Sequence, residues 1–195
     1  MSKQKKELVL PSIQELEEEI SRQKRRQSQG NMLRSILYAL ITVAAVTALI
    51  AILFTPVLRT YGASMSPTLE DGELVIVLKT DKAQPGDVIA FYYNNKLFIK
   101  RVVALGGSEV DIDGDGNVYV DGELLDEPYL AAKAAGSGDV EFPYRVPAGR
   151  YFVLGDNRIS SADSRSSIFG CVDPDDMLGR VFACVWPLDH FGTIQ

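Results

Sequence analysis

Three stretches of this 195-residue chain hold side chains capable of chemistry. In YGASMSPTL, residues 61–69, Ser64 stands among small residues ahead of Pro67. A hydroxyl there is either a plain turn residue or a nucleophile. A nucleophilic serine needs a base within hydrogen-bond reach. The single histidine, His190, lies near the C-terminus beside Pro187 and Gly192. It is expected to be a surface residue in a loose tail, which leaves a Ser–His pair poorly supported. A lysine can serve instead if it is neutral, and burial in an apolar pocket favours the neutral amine. Bringing its pKa from about 10.4 to about 7–8 requires ~4 kcal/mol of differential stabilisation. The expected signature is a lysine on a buried strand.

Lys100 in LFIKRVVAL carries that signature. Strand alternation puts Phe98, Lys100 and Val102 on one face and Ile99, Arg101 and Val103 on the other. Spacing alone also allows a strand-edge charge whose stem packs. Lys79, Lys82, Lys96 and Lys133 lie in or near polar turns and read as solvated charges. The third stretch, YFVLGDNRISSADSRSSIFG, runs from an apolar strand into a dense polar loop with Asp156, Asn157, Arg158, Ser161, Asp163 and Arg165. Carboxylates, guanidiniums and hydroxyls in such number either make a plain hydrophilic loop or form a charge-assisted network that props a neighbouring site.

Other chemistries fit less well. Two cysteines and one histidine without clustered spacing argue against a zinc enzyme. DIDGDGNVYVDGE matches early positions of a calcium loop through Asp111, Asp113, Asp115 and Gly116, but its twelfth position is Gly122 where a bidentate glutamate is needed. A hairpin turn explains the same residues. Residues 59–195 carry twelve Lys/Arg against twenty-one Asp/Glu, and no basic stripe suggests a nucleic-acid partner.

These residues need elements to position them. Residues 35–58 contain no charged side chain, and as a helix they would span roughly 36 Å, enough for a hydrocarbon core of about 30 Å. The run exceeds a signal-peptide core and begins only after 34 polar residues, so an uncleaved anchor is expected. Arg22, Lys24, Arg25, Arg26 and Arg34 precede it and Arg59 alone follows closely, which predicts a cytoplasmic N-terminus and residues 59–195 outside. In residues 1–34 the acidic ELEEEI followed by the basic SRQKRR allows a short helix with opposite charge at its two ends, but a solvated, partly disordered leader carrying topology signals is the expected reading. Beyond the anchor, LVIVLK, DVIAFYY, KLFIKRVVAL, EVDI, NVYVDG and YFVLG alternate with turn signals such as QPGD, YNNK and DGDGN. They predict a mainly β, antiparallel β-rich domain of barrel or folded-sheet character, with helical periodicity only in LAAKAA, residues 130–135.

Together the three stretches resemble the type I signal peptidase family, the membrane-bound Ser/Lys endopeptidases of bacteria. ASMSPTL is similar to the family's nucleophile box, PGDVIAF to the box that follows, IKRVVALGG to its lysine box, and GDNRISSADSRSSIFG to its Gly-Asp-Asn-Arg…Ser-x-Asp-Ser-Arg box. The boxes stand in family order behind an anchor, and the single span looks like the Gram-positive form. The resemblance implies a signal peptidase/LexA-like β domain, with Ser64 as nucleophile and Lys100 as general base. It implies that Ser161 hydrogen-bonds the lysine, and that Asp156, Arg158, Asp163 and Arg165 form the supporting network. Met65, Leu69, Phe98 and Ile99 would wall shallow pockets for small residues at −1 and −3. No metal or organic cofactor is implied. The implied partners are secretory preproteins emerging from the translocation machinery, and membrane lipid. Two positions depart from the pattern. Gly62 stands where some members carry a hydroxyl that helps the oxyanion hole, and Gly106-Gly107 replaces a Pro-Gly. Cys171 and Cys184 could form a disulfide outside the membrane or stay as thiols.

Overall fold

The computed structural model describes residues 13–135 and 138–194. Contacts divide the chain into two compact units that meet at Ala51/Ile52. The first contains all but the last three residues of a single helix, α1, Ile13–Phe54. Within it Met32–Ile50 has a mean hydropathy of 2.0 and none of its side chains is buried, so it is long and apolar enough to cross a membrane. The helix stops at Phe54, short of the end of the charge-free run. Pro56 has no N–H and biases Thr55 away from helical angles, and Val57–Arg59 becomes strand β1. Residues 13–34, expected as a solvated leader, are helical instead. Their Glu, Gln, Lys and Arg are strong helix formers, with acidic residues leading and basic ones following. Residues 1–12 of that leader lie outside the described residues.

The second unit is antiparallel β. Its larger sheet contains β1, β2 (Leu74–Leu78), β3 (Val88–Tyr93), β4 (Lys96–Leu105), β9 (Tyr151–Leu154), β10 (Met177–Trp186) and β11 (Gly192–Thr193). The strand order is β1-β2-β10-β3-β4-β9, with β11 also on β10. The smaller sheet contains β5 (Glu109–Ile112), β6 (Val118–Val120), β7 (Glu123–Leu124) and β8 (Tyr144–Arg145). Alternating apolar residues supply three core clusters, centred on Met65, Leu69, Val75 and Val77, on Ile89, Phe91 and Val102, and on Val103, Val110 and Phe152.

The β3–β4 hairpin sets the position of the candidate base. Asn94 and Asn95 have φ of 49° and 59°, the left-handed pair of a two-residue turn that asparagine tolerates. That turn places Ile89 opposite Lys100 and Phe91 opposite Phe98. A shift of one residue would turn every side chain of β4 to the wrong face. β9 pairs with β4 only from Arg101 onward, so residues 96–100 are hydrogen-bonded to β3 alone.

The DGDGN segment closes the β5–β6 hairpin. Asp113 accepts from the amides of Asp115 and Asn117 in a turn, and no metal-holding cluster occurs among the described residues. LAAKAA forms no helix, because Ala134 backbone packs directly on Gly116 and Lys133 donates to Asn117. Cys171 and Cys184 are free thiols that pack against different core clusters.

His190 is held more firmly than a loose tail would hold it. It sits in a 3₁₀ turn, Leu188–His190, and its Nδ1 lies 2.6 Å from Oε1 of the buried Glu73. The hydrogen bond and charge of Glu73 raise its pKa above the usual 6.5, with Asp189 and Glu70 adding to the same direction. A raised folded-state pKa stabilises fully below the unfolded value and is lost as pH rises through the folded one. The gap in melting temperature between the parent and His190→Ala should therefore be widest near pH 6 and narrow as pH rises. A gap independent of pH would count against the ion pair.

Candidate active site

Ser64 sits in the turn between β1 and β2, half-buried, and is fixed from both sides. Before it, the Gly62 amide donates to Asp71 Oδ1 at 2.7 Å. After it, Ser66 Oγ donates to Glu70 and Thr68 Oγ1 donates to Asp156 Oδ2. The Ser64 carbonyl itself accepts from the Asn157 amide at 3.1 Å, which ties the turn to the polar loop after β9. That loop lies against it so closely that a Cβ on Gly155 would stand 2.5 Å from the Ser64 oxygen and 2.1 Å from Ser161 Oγ. Only glycine permits this approach.

Lys100 meets Ser64 from β4. Its Nζ lies 2.7 Å from Ser64 Oγ and 3.1 Å from the Ile99 carbonyl, and the residue is 2% exposed. Burial pushes its pKa down to about 8. The carboxylates of Asp163 and Asp156 push it back up, and the Arg165 guanidinium adds to the lowering. Desolvation is the largest of these effects, and both aspartates are themselves paired with guanidiniums. A near-neutral amine on a serine hydroxyl is the arrangement a nucleophile needs.

The structure differs over Ser161. Its Oγ is buried but makes no hydrogen bond among the described residues, and Lys100 directs its bonds to Ser64 and Ile99. Ser161 packs over Gly155 instead.

The four charged residues expected to brace the site are all buried, but they do not form one loop network. Asp163 and Arg165 pair bidentately, Nε to Oδ1 at 2.8 Å and Nη2 to Oδ2 at 2.9 Å. Asp163 Oδ2 also accepts from the Gly155 amide. Asp156 pairs instead with Arg101, Nε to Oδ1 at 2.9 Å and Nη2 to Oδ2 at 2.7 Å. Arg158 pairs with Glu127, which arrives from the segment after the smaller sheet's β7. The Arg101 guanidinium stacks 3.9 Å over the Tyr129 ring, and the Tyr129 hydroxyl donates to Glu127.

Arg101, Glu127, Tyr129 and Thr68 join the site without having been expected there. A signal exists for Arg101. A guanidinium inside a strand that is apolar on both faces requires a buried carboxylate. Glu127 and Tyr129 carry no such signal.

A cleft of about 490 Å³ opens beside the pair, and Ser64, Lys100, Met65, Leu69, Phe98 and Ile99 all line it. The structure thus brings the candidate nucleophile and base and the four expected wall residues together. Residues 96–100 border this cleft with the strand edge that β9 leaves unpaired.

Comparison with known proteins gives a consistent result. The model of the family described as "Signal peptidase, peptidase S26" matches residues 32–186. Signal peptidase IB of Staphylococcus aureus (strain COL) is 35% identical over 183 residues, covering 82% of this chain and 94% of that protein. A probable signal peptidase I-2 of Synechocystis is 37% identical over 146 residues, covering 68% of this chain and 64% of that protein. Among solved structures, a signal peptidase I from Enterococcus faecalis V583 is 34% identical and covers 51% of this chain and 96% of its own, with a TM-score of 0.44. A match across most of the chain, with a serine and a buried lysine in contact, has one outcome: the chain belongs to the signal peptidase family, peptidase S26, and is a hydrolase of the serine-peptidase class.

Proposed function

We propose that this chain is a membrane-anchored Ser/Lys endopeptidase that removes N-terminal signal peptides from secretory preproteins, cleaving after small residues at −1 and −3. The observation that carries this reading is the 2.7 Å hydrogen bond between Ser64 and a buried Lys100 whose pKa is about 8. With the amine neutral, Lys100 accepts the Ser64 proton while Oγ attacks the carbonyl carbon. The resulting oxyanion takes the Ser64 amide, which makes no hydrogen bond among the described residues. As the intermediate collapses, the Lys100 ammonium gives its proton to the departing amine and the acyl group stays on Ser64. Lys100 then deprotonates a water that releases the acyl group.

The substrate enters as an extended strand. The free edge of residues 96–100 offers backbone groups for strand addition, and this explains how one cleft accepts many sequences. Met65, Leu69, Phe98 and Ile99 shape the apolar wall, which suits small side chains. Asp163 and Arg165 brace Gly155, Asp156 braces Thr68, and Arg158 braces the loop through the Gly155 carbonyl. Ser161 supports by packing.

The helical span keeps the peptidase unit at the membrane, where its substrate is also held, and raises their mutual effective concentration. The basic flank before Met32–Ile50 supports a cytoplasmic N-terminus, with the β unit outside beside the emerging preprotein.

The deciding experiment incubates the full chain in detergent micelles with a purified preprotein. Cleavage after a small residue should occur, and should disappear in Ser64→Ala and when tryptophan replaces the −1 residue. Cleavage that survives Ser64→Ala would remove the nucleophile assignment. A folded parent that cleaves no preprotein would leave a tethered binding domain.

A further inference from the structure

The cleft extends past the Ser/Lys pair to two cations that the proposed chemistry does not use. Lys96 opens β4, and strand alternation puts it on the face of Phe98 and Lys100, four residues upstream of the base. At about 3.3 Å per residue that is about 13 Å from Lys100. Arg59 ends β1, five residues before Ser64. Both line the same cleft and both are exposed at its mouth. Among the described residues neither forms an ion pair. Arg59 reaches over the Tyr61 ring, with Cζ 5.8 Å from the centroid.

The charge of the lining runs against the charge of the unit. Residues 59–195 are strongly acidic, yet the cleft is lined by Arg59, Lys96 and Lys100 and by no aspartate or glutamate. A peptide bound parallel to β4 along its free edge, with its scissile carbonyl at Ser64, brings the residues at −4 and −5 about 10–13 Å upstream, toward the start of β4. That is the reach of Lys96. Between them the wall is apolar, so charge selection falls to this end of the cleft.

We propose that Arg59 and Lys96 form a subsite for the substrate residue at −4 or −5, favouring an acidic side chain and disfavouring lysine or arginine. This subsite rests on the reading under Proposed function. It would act as a filter on the segment between the apolar signal core and the small residues at −3 and −1. It selects by charge where the rest of the cleft selects by size.

The test uses the full chain in neutral-detergent micelles and three preproteins identical except for Glu, Gln or Lys at −5. In the parent enzyme kcat/KM should fall in the order Glu, Gln, Lys, with a Glu-to-Lys ratio of about tenfold that shrinks at high salt. In Arg59→Gln/Lys96→Gln the ratio should approach unity, and in Arg59→Glu/Lys96→Glu it should reverse. The same three residues at +5 should show no such order. A parent ratio near one, a ratio unchanged in the double variant, or an equal preference at +5 would overturn the subsite. So would a double variant whose activity falls only on vesicles of anionic lipid, which would assign the cations to phosphate headgroups. Failure of the underlying reading shows separately, as absence of Ser64-dependent cleavage of the Gln substrate by the parent.

Discussion

Replacing Lys100 by methionine should lower signal-peptide cleavage by about 10³-fold or more while leaving the β unit folded. Methionine keeps most of the stem volume among Phe98, Val102 and their neighbours, so packing is retained and only the amine is lost. Without it, Ser64 has no proton acceptor: His190, the one alternative imidazole, is engaged with Glu73 and does not line the cleft. The parent enzyme should show the matching pH dependence. Only the neutral amine accepts the proton, so kcat/KM should rise about tenfold per pH unit on the acidic side and level off above about 8, the value burial imposes on Lys100. A Lys100→Met enzyme that keeps a tenth of parental activity, or a parental profile flat between about pH 6 and 9, would sink the assignment of the base.

The same variant should be more stable than the parent at neutral pH. The folded-state pKa of Lys100 lies below its unfolded value of 10.5, at about 8. Between those values the unfolded chain binds more protons, so stability rises with pH through that window. At about pH 7 both states are protonated and the folded state carries the full desolvation of an ammonium group, on the order of 3 kcal/mol. Methionine removes that cost. Its melting temperature should exceed the parent's at about pH 7, and the difference should close as pH approaches about 10. A residue that destabilises the fold and is needed for activity is the expected mark of a functional group.

How much of this is legible in the sequence depends on the range of the interaction. The hairpin that orients Lys100 follows from YNNK, because asparagine tolerates the left-handed turn and the flanking runs alternate. The Ser64–Lys100 pairing, 36 residues apart, is only half legible: a serine without histidine needs a neutral lysine and Lys100 sits among apolar strand residues, but spacing alone also allows a strand-edge charge, and the pair is singled out by the family resemblance. The partners of the guanidiniums are not legible. Asp163 finds Arg165 two residues away, but Asp156 reaches Arg101 across 55 residues and Arg158 reaches Glu127 across 31. With twelve cations and twenty-one anions in residues 59–195, composition cannot choose among such pairs. Proximity in sequence suggests one loop network, and tertiary packing instead produces three ion pairs, two of them joined through Tyr129. The continuous helix is hidden for a local reason. The alternation of acidic and basic blocks before residue 34 reads as a solvated leader, yet its residues are also strong helix formers, and the apolar helix that follows removes the need for a separate nucleus.

The Arg101–Asp156 clamp should be the costliest to break. Both side chains are 1% exposed, with two parallel hydrogen bonds, and Arg101 also donates to the Gly86 carbonyl at 2.8 Å. Removing one partner leaves the other charge buried without its counter-ion, a loss of about 3–5 kcal/mol. At about 2–4 °C per kcal/mol for a chain of this size, Arg101→Met or Asp156→Leu should each lower the melting temperature by about 10 °C. The double variant should lose much less than the sum of the two, because it leaves no orphaned charge. Its activity should not recover with its stability. Asp156 also holds Thr68, which directly follows Pro67 in the turn that presents Ser64. Thr68 Oγ1 donates to Asp156 Oδ2, and an apolar residue cannot replace that acceptor. With Thr68 released, the turn loses its side-chain tie to Asp156 while keeping its contacts through Gly62, Ser66, Leu69 and the Ser64 carbonyl. Preprotein cleavage by the double variant should therefore stay at least about tenfold below the parent, through kcat more than KM, since a nucleophile misplaced by about an ångström loses alignment before it loses substrate. A double variant with recovered stability and parental kcat would show that the clamp serves folding alone.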